Sequence, residues 1–125
     1  MRILVLDDAS LEREILARFA ARAGHAVVAE ATDLAEAFAR LEEALPDVAV
    51  VDGRLPPEGG PAAIAALRAR LPHTPLLVIA ALEETALVRA AFTAGANGIL
   101  QRPLLPSQVG DVLARVARTQ PPESE

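Results

Sequence analysis

The sequence predicts an α/β chain in which five short strands alternate with five helices to form one parallel, doubly wound sheet. Three observations predict it. Short apolar runs recur at Arg2 to Leu6, Ala26 to Ala29, Val48 to Val51, Leu76 to Ala80 and Gly98 to Gln101. Between them lie longer stretches with helical spacing or helix-ending residues. The run Val48 to Val51 is apolar at every position, which marks a strand buried on both faces.

Taken in order, the first strand, Arg2 to Leu6, ends in Asp7-Asp8. A helix over Ser10 to Ala23 follows, with Leu11, Ile15 and Phe19 on one face and Gly24 as its stop. After the strand Ala26 to Ala29, Asp33 and Glu36 have the spacing of a capping pair. The next helix, Leu34 to Leu45, points Leu34, Phe38, Leu41 and Leu45 inward, and Pro46 ends it. The central strand then runs into Asp52, and Gly53 and Pro56 turn the chain. Pro61 suits the first turn of a helix reaching Leu71. The turn Pro72 to Pro75 leads to the fourth strand. The helix Glu83 to Ala94 has acids at its start, where the dipole favours them, and Gly95 stops it. The fifth strand passes through Arg102-Pro103 and Pro106 into a last helix, Ser107 to Arg118. Right-handed crossovers make such a sheet parallel. The flavodoxin-like (βα)5 order 2-1-3-4-5 is the expected one.

Length and composition narrow the function. A chain of 125 residues fits one domain, expected over 1–118, with 119–125 as a polar tail or linker. At 52% hydrophobic residues it is neither disordered nor a coiled coil. The net charge of -5, with no long basic run, argues against nucleic acid or anionic membranes as partners. The absence of Cys removes thiol chemistry, and the absence of Lys removes Schiff-base chemistry. No apolar run approaches membrane-spanning length, so a cytoplasmic location is the expectation.

The chemistry-bearing residues are acids. In the expected topology the first and third strands are neighbours, so Asp7, Asp8 and Asp52 converge at one sheet edge, where α/β folds place their sites. Clustered carboxylates repel unless a cation sits among them. Mg²⁺ suits a site of few carboxylates plus water. Beside it, a carboxylate can act as a nucleophile toward a phosphoryl group and form an aspartyl phosphate.

These residues carry a family resemblance. Ile3-Leu4-Val5-Leu6-Asp7-Asp8, Pro46-Asp47, Asp52-Gly53-Arg54-Leu55-Pro56, Gly60 and the run Ala94 to Pro103 together resemble the receiver domain of two-component response regulators, over residues 1 to about 118. The resemblance implies that Asp52 accepts phosphate from a histidine kinase or phosphotransfer protein. It implies that Asp8, Asp52 and the backbone carbonyl of Arg54 ligate Mg²⁺, with Asp7 acting through water. It implies an output partner or a homodimer on the face of helix four, strand five and helix five. It implies a signalling module that catalyses at most its own phosphorylation and dephosphorylation.

Three departures stand out. The family has Thr or Ser at the end of strand four, and Ala80 stands there without a hydroxyl. The family has Lys before the strand-five proline, and Arg102 stands there as the phosphate contact. The aromatic switch position matches Ile99, which has no ring. Phosphate acceptance with weakened conformational switching is the leading expectation. A degenerate, phosphate-independent interaction module is the alternative. An aspartate phosphatase is disfavoured, because the second acid such enzymes carry two residues on is replaced by Arg54.

Smaller features have plainer readings. Arg54 is placed to project over the site, and Leu82 occupies a second position that tunes phosphate lifetime in the family. His25 and His73 sit in turns and read as surface residues. Leu87, Val88, Ala91 and Phe92 read as core, and Leu104 and Leu105 as connection packing. Pro121-Pro122-Glu123 suits a linker or a chain end.

Overall fold

The structure is a computed structural model, and it describes residues 1–120. The tail residues Pro121 to Glu125 fall outside the described residues. The element order is β1 (Arg2–Leu6), α1 (Ser10–Arg22), β2 (Ala26–Ala31), α2 (Leu34–Ala44), β3 (Val48–Asp52), α3 (Gly60–Arg70), β4 (Leu76–Ala80), α4 (Thr85–Ala94), β5 (Gly98–Gln101) and α5 (Pro106–Arg118). The five strands form one sheet in the order β2-β1-β3-β4-β5, and every neighbouring pair is parallel. This is the predicted topology.

The sheet buries both faces, and strand alternation divides the core in two. Leu4, Leu6, Ala49, Val51, Leu76 and Val78 point to one side, against Ala37 of α2, Ile64 and Leu67 of α3, and Ala91 of α4. Ile3, Val5, Val48, Val50, Leu77 and Ile79 point to the other, against Leu16 and Ala20 of α1 and Val109 and Leu113 of α5. Every residue of β3 and β4 is therefore buried, which explains the unbroken apolar runs.

Several local expectations need correction. Leu45 does not point inward: it adopts φ 44° as the C-cap of α2 and is exposed. Leu11 is also exposed, since the core face of α1 is defined by Leu16 and Ala20. Phe92 is 43% exposed, while Ala91 beside it is fully buried. Each of these helices buries an alanine, Ala44, Ala20 or Ala91, while the larger Leu45, Leu11 and Phe92 are exposed. The helix expected from Glu83 begins at Thr85, with Glu84 at the N-cap position. The second strand runs on to Ala31. His25 is half-buried, and its Nδ1 lies 2.7 Å from the Met1 ammonium.

The capping pair forms as expected. Asp33 accepts the Glu36 N–H at 2.8 Å, and Glu36 Oε1 accepts the Thr32 N–H at 2.8 Å. No helix among the described residues is long and apolar enough to cross a membrane.

Candidate functional site

Strand register brings the acids together. Leu6 pairs with Val51 across β1 and β3, so the residues that follow, Asp7 and Asp52, leave the sheet side by side. On the other flank Asp52 is level with Ile79, one residue before Ala80. The site therefore lies at the carboxyl ends of the central strands.

The loop after Asp52 is held tight against it. Gly53 N–H donates to the Ile79 carbonyl, and Gly60 N–H to the Gly53 carbonyl, both at 2.9 Å. A Cβ on Gly60 would lie 2.5 Å from the Asp52 carbonyl oxygen and 2.7 Å from Gly53 Cα. Only glycine fits this approach, and it fixes where the Asp52 side chain emerges.

Asp7 is fully buried and Asp52 is 5% exposed. Asp7 Oδ1 accepts the Ala9 N–H at 2.9 Å, but Oδ2 is buried with no partner among the described residues. Asp52 Oδ1 accepts the Arg54 N–H at 3.1 Å and Nη2 of Arg102 at 2.8 Å. Carboxylate oxygens of Asp7, Glu12 and Asp52 all lie within 4.8 Å of one another. Asp8 is exposed and lies outside that trio, on the wall of a cleft of about 520 Å³ that also touches Asp52, Arg54 and Arg102.

Glu12 is the residue that sequence reasoning missed. It sits in the first turn of α1 and receives Arg102 in a two-point fork, Nε to Oε2 at 2.9 Å and Nη2 to Oε1 at 2.7 Å. In the sequence it is indistinguishable from an acid placed for the helix dipole. Its partner lies 90 residues away.

The electrostatics follow from burial and crowding. Burial pushes the Asp7 carboxyl up to about 8, and the Glu12 and Asp52 carboxylates reinforce the rise. Burial also pulls Glu12 upward, but its fork to the Arg102 guanidinium outweighs this and leaves it below the usual range. Glu12, followed by Asp52, holds the Arg102 guanidinium firmly charged. A buried carboxylate oxygen with no donor, among converging carboxylates, fits a hard divalent cation with oxygen ligands.

The two positions expected to take part in switching, Ala80 and Ile99, are apolar. Ala80 is fully buried at the end of β4 and brings no hydroxyl. Ile99 is half-buried and faces a groove of about 530 Å³ that also touches Phe92, Val112 and Val116. The Arg54 side chain does not cover Asp52: it turns outward and pairs with Glu84.

A doubly wound sheet with buried acids at its carboxyl edge defines the class of protein. The chain matches the response regulator receiver domain over residues 3–114, and it belongs to that family. It is 32% identical over 117 residues to the chemotaxis protein CheY of Thermotoga maritima, covering 94% of this chain and 98% of that protein. It is 36% identical over 116 residues to the transcriptional regulatory protein PhoP of Escherichia coli O157:H7, covering 93% of this chain but 50% of PhoP. Of a protein-glutamate methylesterase from Anaeromyxobacter dehalogenans, 38% identical over 112 residues, it spans 33%. The structure superposes on the chemotaxis response regulator CheY4 of Vibrio cholerae with a TM-score of 0.80 at 27% identity, covering 92% of this chain and 97% of that one. Receiver domains are signalling modules of two-component systems.

Proposed function

We propose that this receiver accepts a phosphoryl group on Asp52 from a histidine kinase or phosphotransfer protein, in a reaction that uses Mg²⁺. One observation carries the reading: a nearly buried Asp52 carboxylate shares its site with a fixed cation, Arg102, and with a carboxylate oxygen on Asp7 that has no donor.

Both hydrogen bonds to the Asp52 carboxylate fall on Oδ1, leaving Oδ2 free to act as nucleophile among the described residues. Oδ2 forms the bond to phosphorus as the bond from phosphorus to the donor's histidine nitrogen breaks. Arg102 meets charge on the transferring oxygens. Asp8, Asp52 and the Arg54 carbonyl would hold the metal, with Asp7 acting through water. When bound, Mg²⁺ supplies charge neutralisation for the phosphoryl oxygens.

Coupling of phosphate to the far face is weak in this reading. The Ala80 side chain has no donor for a phosphoryl oxygen, and Ile99 has no ring to reorient. The same two residues favour a second reading, a phosphate-independent module that binds its partner constitutively. Titration with Mg²⁺ and beryllofluoride, followed by amide chemical shifts, separates the two. Saturable shifts around Asp52 and Arg102 support the phosphoacceptor. Shifts identical with and without the analogue support the constitutive module.

A further inference from the structure

Arg102 ends a long flexible side chain, yet its guanidinium holds one orientation. Glu12 fixes it. The two Glu12 oxygens accept from Nε and Nη2, and Nη2 spends its second hydrogen on Asp52 Oδ1. Nη1 makes no hydrogen bond among the described residues, so its two hydrogens are left for an incoming anion. A planar guanidinium gripped along one edge presents its remaining donors in a fixed direction. The grip is sheltered: the side chains are 30% exposed for Arg102 and 18% for Glu12. It also ties the first turn of α1 to the segment after β5, two elements that meet at this site from opposite ends of the chain.

We propose that Glu12 is a positioning residue for phosphoryl transfer: it aims Arg102 so that one donor rests on Asp52 and the free donors meet the phosphoryl oxygens. The inference rests on the phosphoacceptor reading of Asp52. Glu12 acts through Arg102, since both of its oxygens accept from the guanidinium.

The test follows phosphorylation of the full chain by acetyl phosphate and Mg²⁺, with intact mass as the readout, in Glu12→Ala, Glu12→Gln, Arg102→Ala and the double variant. Mg²⁺ affinity is measured in parallel by calorimetry. Glu12→Ala is expected to slow adduct formation about tenfold or more, as misplacement of a catalytic group does. Glu12→Gln, which keeps shape and one acceptor, falls between and guards against a folding defect. In the Arg102→Ala background the Glu12 change adds nothing, because the two act as one unit. Mg²⁺ affinity stays within about threefold, below the tenfold or greater losses seen around metal centres. A Glu12 effect that persists without Arg102, or a tenfold loss of Mg²⁺ affinity, overturns the inference. A wild type that takes the adduct at the same rate as Glu12→Ala overturns it alone. A wild type that takes no adduct overturns the phosphoacceptor reading and this inference with it.

Discussion

Arg54 pairs with Glu84 across the mouth of the acid cleft, joining the loop after β3 to the residue before α4. The pair divides the labour of Arg54. Its backbone N–H serves Asp52 Oδ1, while its side chain is drawn away from that carboxylate. Glu84 is doubly used as well, since Oε1 accepts the Ala81 N–H at 2.9 Å. A link thus runs from Asp52 to the start of α4 without passing through a hydroxyl at position 80.

The two ends of that link carry different weights. The Arg54 side chain is largely solvated, so Arg54→Ala is expected to cost less than about 1 kcal/mol. Glu84→Ala also strips the partner from the Ala81 N–H and is expected to cost about 0.5–2 kcal/mol. Urea unfolding of the two variants checks the order. Equal losses would mean that the Ala81 bond contributes nothing.

Ala80→Thr places a hydroxyl at the end of β4, in a fully buried position. The extra atoms are expected to cost about 1–3 kcal/mol of stability. In return, beryllofluoride-induced shifts on α4 and β5 should grow. If those shifts match the unmodified chain, the missing hydroxyl is not what limits coupling.

The glycines differ in a testable way. Gly60→Ala drives a Cβ into the Asp52 carbonyl and the Gly53 backbone, and should cost about 1–3 kcal/mol or more. Gly110→Ala, inside α5, meets nothing closer than Ala23 Cβ at 3.8 Å and should stabilise by up to about 1 kcal/mol. Thermal unfolding of both variants should show shifts of opposite sign.

Asp7 sets a pH dependence in the metal-free protein. Its carboxyl titrates near 8 when folded, against 3.8 ordinarily. Between those values the folded state holds a proton that the unfolded state has lost. The contribution of Asp7 to stability is therefore fully present below about pH 4, declines as pH rises toward 8, and is gone above it. Asp7→Asn should flatten that decline in thermal unfolding run without divalent ions. A slope unchanged by Asp7→Asn would assign it to another group.

The fold was legible because strands buried on both faces leave unbroken apolar runs, and Gly24, Pro46 and Gly95 mark where helices stop. The convergence of Asp7 with Asp52 followed from topology alone. The packing face of α1 was not legible. In a chain whose helices dock through Ala20, Ala37, Ala63 and Ala91, a large residue such as Leu11 or Phe92 does not identify the core side. The Glu12–Arg102 and Arg54–Glu84 pairs were hidden for another reason. Their partners lie 90 and 30 residues apart, on segments that only the closed sheet brings together.

The central claim is that Asp52 takes up a phosphoryl group. Intact-mass spectrometry after incubation with acetyl phosphate and Mg²⁺ tests it most directly, with Asp52→Asn alongside. One phosphoryl adduct on the unmodified chain and none on Asp52→Asn is the predicted result. An unmodified chain that stays unlabelled, or an adduct that survives the loss of Asp52, would contradict it.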